Sequence, residues 1–158
     1  MTSWQEFTEQ EPELAGRVLD RFEANRHKTM ATIRADGSPR ISGTEVPIKL
    51  GEVWLGGTTG NRRFEDLRRD PRVAIHSASE PPDAWSGDAK IAGRAVEVTD
   101  DAGKASFRGA AEEVPEGDFE LFRIDLTEAV VVRLNDERDR LLIDIWHAGE
   151  PSRTVERV

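Results

Sequence analysis

Apolar positions along the chain follow two different periods. Over residues 11–25, "EPELAGRVLDRFEAN", Leu14, Val18, Leu19 and Phe22 recur at helical spacing and draw one apolar stripe. Pro12 suits the first turn of that helix and Asn25 its end. The period then shortens. "KTMATIRADGSPRISGTEVPI" (28–48) reads as two strands joined by a tight turn at Ala35-Asp36-Gly37-Ser38, with Asp-Gly as the hairpin signal. "EVWLGG" (52–57) predicts a third strand, a short helix spans 62–69, Pro71 ends it, and "RVAIHSA" (72–78) returns as a strand. After a loop at 80–88, "AKIAGRAVEV" (89–98) is another strand, with Gly93 a candidate bulge. A weak helix over 100–114 and a turn at Pro115-Glu116-Gly117 lead to two long β runs at 119–134 and 140–148, and "RTVERV" reads as a last short strand. No repeat or linker interrupts the series, so residues 1–158 are read as one domain. Strands joined by short turns predict an antiparallel barrel, closed or nearly so, with peripheral helices; one open sheet covered by helices is the competing architecture.

Charge narrows the function classes. The chain carries 31 acidic and 22 basic residues, a formal net charge of −9, which repels phosphate backbones and argues against nucleic-acid binding. No apolar run is long enough to predict a membrane span, and "MTSWQEFTEQEPEL" lacks the basic and apolar regions of a signal peptide. Without cysteine there are no disulfides, thiolate metal sites or cysteine nucleophiles, and the cytoplasm is the simplest expected setting. Three scattered histidines make no zinc motif, and His76, on a strand, reads as structural.

Against this acidic background the densest basic cluster is Arg62, Arg63, Arg68, Arg69 and Arg72. Arg62 and Arg63 stand at the start of the short helix, where unpaired N–H groups already carry partial positive charge. If Asn61 caps that helix, two cations oppose the dipole at a cost of about 0.3–1 kcal/mol each. A bound anion reverses the sign, because N–H groups, dipole and guanidinium groups would converge on one phosphate. Thr58, Thr59 and Gly60 add two hydroxyls and a permissive backbone. The bland alternative is a solvated helix whose arginines pair with Glu65, Asp66 or Asp70. No Walker or dinucleotide-binding glycine motif is present.

The succession "MATIRADGSPRIS", "EVWLGGTT", "GNRRFEDLRRDPRVAIHS" and "GDAKIAGRAVEV" resembles the pyridoxamine 5′-phosphate oxidase-like superfamily, the flavin and deazaflavin split-barrel proteins. The likeness runs from about residue 10 to the C-terminus and is most specific over 28–98. It implies a mainly β (α+β) fold, a six-stranded antiparallel split β-barrel with peripheral helices. In the family a small-Arg-Lys motif holds the cofactor phosphate; Asn61-Arg62-Arg63 stands at that place, with arginine for the usual lysine. The ring and ribityl chain would lie along Arg40, Ile41, Ser42, Gly43, Thr44 and Glu45, then Gly57, Thr58 and Thr59. Gly43 would admit a flat ring, and Ser42 and Thr44 would offer hydroxyls. The family implies a homodimer with the cofactor at the interface, its second subunit supplying Trp85, Lys90 or the C-terminal segment with Trp146 and Arg153.

The resemblance also bears on chemistry. Vitamin B6 oxidases of the family carry an Arg-x-His pair near the C-terminus, whereas Asp136-Glu137-Arg138 stands here, so that activity is not expected. What remains is an oxidoreductase passing hydride between a flavin and a small organic molecule. FMN is the expected cofactor. The deazaflavin coenzyme F420 is the alternative, its acidic tail running along Arg40, Arg68 and Arg72. A non-catalytic flavin-binding or storage protein, or a barrel that has lost its cofactor, are readings from other classes.

Overall fold

The computed structural model describes all residues 1–158. Four helices surround one antiparallel sheet: α1 (Trp4–Gln10), α2 (Pro12–Glu23), α3 (Arg62–Arg69) and α4 (Asp101–Ala110). The strands are β1 (His27–Ile33), β2 (Pro39–Glu45), β3 (Ile48–Lys49), β4 (Glu52–Thr58), β5 (Arg72–His76), β6 (Asp88–Glu97), β7 (Phe119–Leu134), β8 (Leu141–His147) and β9 (Arg153–Arg157). None of the helices is long and apolar enough to cross a membrane.

Local chemistry explains most of the order. The β1–β2 turn closes on Asp36, whose side chain accepts from the Ser38 N–H at 2.9 Å, and Gly37 takes φ +84°, which a side chain would resist. β1 and β2 then pair in register from His27 with Glu45 to Ile33 with Pro39. Six strands follow one another through backbone pairing as β2-β1-β5-β6-β7-β4. The first and last of them, β2 and β4, face each other without pairing, and this is the split. β3 extends β4, while β8 and β9 branch from β7. The six-stranded split barrel expected from the sequence is therefore present within a sheet of nine strands.

Strand β7 organises the whole. One edge pairs with β6 from Phe122 to Val132. The other pairs with β4 over 119–123 and with β8 over 128–134. Opposite its middle lies the register shift at Ala92/Gly93 in β6. A Cβ on Gly93 would stand 2.2 Å from the Asp125 carbonyl oxygen, so backbone approach explains the glycine that marked a bulge in the sequence.

Helix α2 lays Leu14, Ala15, Val18 and Phe22 on β6 and β7, as its stripe predicts. Helix α1 was not foreseen. Ser3 and Glu6 form a reciprocal capping box, and Trp4 and Phe7 turn inward. Seven residues with two buried aromatics carry too little periodicity to announce a helix. Phe7 meets Trp146 with ring centroids 4.5 Å apart. Trp146 is fully buried there, so the expectation that it covers a cofactor ring is corrected: β8 turns its indole into the core under α1.

Candidate functional site

Helix α3 spans the split. Phe64 and Leu67 anchor it in the core, with Phe64 stacked on Phe122 at 5.2 Å. Its third anchor is polar. Asp66 is buried and accepts from Thr32 of β1 at 2.8 Å, from Arg40 of β2 at 2.6 Å and from Arg69 at 2.8 Å. Burial pushes its carboxyl up, but these donors outweigh that and hold it at about 2.

That hub accounts for part of the basic cluster. Arg40 and Arg69 serve Asp66, Arg68 binds both Glu97 and Glu120, and Arg72 binds Asp70. The expected channel of Arg40, Arg68 and Arg72 for a coenzyme tail is thereby corrected, since each guanidinium is engaged by a carboxylate. Arg62 and Arg63 behave differently. Neither forms an ion pair, and the pairing with Glu65, Asp66 or Asp70 that would make them ordinary surface charges does not occur.

Arg63 reaches from α3 to β2 and donates through Nη1 to the Gly43 carbonyl oxygen at 3.0 Å. Its Nε is buried with no hydrogen-bond partner. Burial pulls its pKa below the ordinary arginine value, although a guanidinium stays charged at any physiological pH. On the other bank lies Gly57 of β4, where an added Cβ would meet Arg63 Nη2 and the Phe64 ring at 3.2 Å each. Glycine at 57 makes room for the arginine across the split.

Asn61 occupies the cap position of α3, but its side chain makes no capping bond. Its Nδ2 turns back toward the Thr58 carbonyl oxygen at 3.3 Å. The expected side-chain cap is corrected on that point; the Phe64 N–H donates to the Asn61 carbonyl oxygen at 3.0 Å, and the Arg62 and Arg63 N–H groups are left open to an external anion.

Beside Arg63 lies a cavity of about 490 Å³, within the roughly 300–1,000 Å³ of small-molecule sites. Of the residues singled out in the sequence it brings together Gly43, Thr44, Glu45, Gly57 and Arg63. A Cβ on Gly43 would meet nothing within 4 Å, so backbone there is open to a flat group. Thr58, Thr59 and Arg62 are exposed at the adjacent turn, with Asn61 half-buried among them. Ser42 is half-buried outside the lining, and Arg40 is withdrawn to Asp66. Thr44 spends its hydroxyl on the Glu45 carbonyl oxygen at 2.9 Å. Trp85 is half-buried in the loop before β6, and Lys90 is exposed on β6 opposite His76; neither lines the cavity.

Other lining residues gave no signal in the sequence. Phe107 comes from α4, Glu113, Val114 and Pro115 from the segment after it, and Phe119 from the start of β7. Their approach depends on β7 returning beside β4, a pairing between residues more than sixty positions apart. His27, read only as one of three scattered histidines, also lines the cavity.

Comparisons with known proteins agree with this fold. The family model described as pyridoxamine 5′-phosphate oxidase matches residues 14–133. A pyridoxamine 5′-phosphate oxidase-related, FMN-binding protein of Nostoc punctiforme superposes with a TM-score of 0.63 at 12% identity, covering 94% of this chain and 96% of that one. A haem-binding protein of Mycobacterium smegmatis gives 0.63 at 18% identity, covering 94% and 59%. General Stress Protein 26 of Bacillus anthracis gives 0.57 at 12%, covering 73% and 91%. At these identities the structures share the fold. No curated protein matches the chain in sequence.

Proposed function

The chain belongs to the pyridoxamine 5′-phosphate oxidase family, and on that premise we propose that it is a flavin-dependent oxidoreductase acting on a small organic substrate. Arg63 carries the reading. A half-buried guanidinium without a carboxylate, next to uncapped N–H groups and at the mouth of a cavity, is a site completed by a phosphate. FMN, which ends in a phosphate, fits that donor set. The engagement of Arg40, Arg68 and Arg72 by acids favours FMN over the deazaflavin coenzyme, whose tail would need free cations. When bound, a flavin supplies the hydride chemistry. The protein's part is to hold the phosphate through Arg62, Arg63 and the α3 N–H groups, to present bare backbone at Gly43, and to seat the substrate.

Catalysis is favoured over storage by a second cavity of about 270 Å³ that shares Glu45, Pro47 and Glu113 with the first. A storage site would enclose its ligand with no room alongside. In the proposed cytoplasmic homodimer the second subunit closes the open side of the site, with half-buried Trp85 and exposed Lys90 as its candidates. Titration of the apo protein with FMN, and separately with the deazaflavin coenzyme, tests the reading through flavin fluorescence and thermal stability. Saturable binding of FMN supports it; binding of neither returns the two arginines to the surface-charge reading.

A further inference from the structure

We infer that the smaller cavity is a second anion-binding subsite built on Lys28 and Lys49, and that the substrate therefore carries a carboxylate or phosphate group. The subsite rests on geometry of its own; only its assignment to substrate rests on the flavin reading.

Lys28, on β1, is 8% exposed. Its ammonium donates to the Arg26 carbonyl oxygen at 3.1 Å and has no carboxylate within ion-pair distance. On one side the Phe22 ring lies 5.9 Å from Nζ. Burial pulls the lysine pKa down, and the more distant charges of Glu45 and Glu23 pull it partly back. An ammonium has three donors, so one carbonyl leaves two unfilled. A buried charge in that state gains from an anionic partner.

Lys49 lines the same cavity and likewise forms no ion pair. The acids on the walls are largely spoken for. Arg26 binds Glu45 at 2.7 Å and also binds Glu113, leaving Glu112 as the wall acid outside an ion pair. The cavity thus holds two ammonium groups without carboxylate partners beside walls whose other charges, Glu112 apart, are paired. Of four lysines in the chain, two meet here, although arginine supplies the other 18 cations. An ammonium is a compact point charge suited to a single carboxylate or phosphate rather than to planar bidentate pairing. A molecule anchored by that group would extend along Glu45 and Pro47 into the larger cavity, where the two share a wall.

The test uses FMN-loaded protein whose lysines carry ¹³C-methyl groups, titrated at constant ionic strength with inorganic phosphate and, separately, with malonate. The subsite predicts saturable shifts of the Lys28 and Lys49 signals, unmoved Lys90 and Lys104, and FMN still bound. Phosphate or malonate, whichever binds tighter, names the anionic group. Lys28→Met should abolish saturation at Lys49 while leaving FMN affinity within about twofold, and Lys49→Ala should weaken the anion at least threefold at Lys28. Equal drift of all four signals, or displacement of FMN by phosphate, overturns the inference. Should FMN fail to bind, the same titration of the free protein decides the subsite, so the two readings fall separately.

Discussion

Replacing Arg63 by alanine separates ligand binding from folding. In the free protein the side chain makes one hydrogen bond, to Gly43, worth a net of about 0.5–1.5 kcal/mol. Against it stands the cost of holding a guanidinium half-buried with Nε unpartnered. These terms oppose, so stability should change by no more than about 1 kcal/mol in either direction. The bound phosphate loses a charged hydrogen bond of about 1.5–3 kcal/mol, which weakens FMN by roughly 10- to 150-fold. Urea denaturation of apo protein gives the first quantity and fluorescence titration the second. Arg63→Lys keeps the charge but not the fork and should fall between. An unchanged Kd would refute the phosphate assignment. A loss of apo stability as large as the loss of affinity would show that Arg63 acts as a strut between α3 and β2.

Other consequences can be checked directly. Because Asp66 is held at about 2, its contribution is complete above the unfolded carboxyl value near 4 and is lost as pH falls through about 2. Allowing for solvent around Arg40 and Arg69, that contribution is about 1–2 kcal/mol; Asp66→Asn should remove it and flatten the acid limb of denaturation curves. Trp146→Ala should cost about 3–5 kcal/mol by emptying the core beneath Phe7. FMN affinity of its folded fraction should stay within about twofold, a larger drop placing the indole at the ligand after all. Gly93→Ala drives a Cβ against the Asp125 carbonyl and should destabilise by about 1–3 kcal/mol or more in calorimetry, whereas Gly43→Ala, which meets open space, should spare stability while weakening FMN.

How much of this was legible depended on sequence distance. The β1–β2 hairpin and helix α3 could be read because Asp36-Gly37 and Pro71 act on their own neighbours, whereas the side-chain cap expected of Asn61 does not form. Gly93 could be read as a bulge, though not the carbonyl that requires it. The arginine cluster could be seen but not sorted. Whether an arginine is spent on a carboxylate depends on Glu97 and Glu120, which lie 29 and 52 positions from Arg68. The same holds for Lys28, whose isolation in the fold leaves no mark on "RHKTM".

Strand β7 also acts as a ruler. Its pairing with β4 ends at Arg123, and its pairing with β8 begins at Glu128, so four residues, 124–127, set the spacing between barrel and hairpin. One inserted residue would turn every later side chain of β7 to the opposite face and carry β8 with it, exposing Trp146. Two would restore the faces but slide the hairpin by about 6–7 Å and part Trp146 from Phe7. Changes in chain length should be easier to place in the connections at 77–87 and 135–140 than in the middle of this strand.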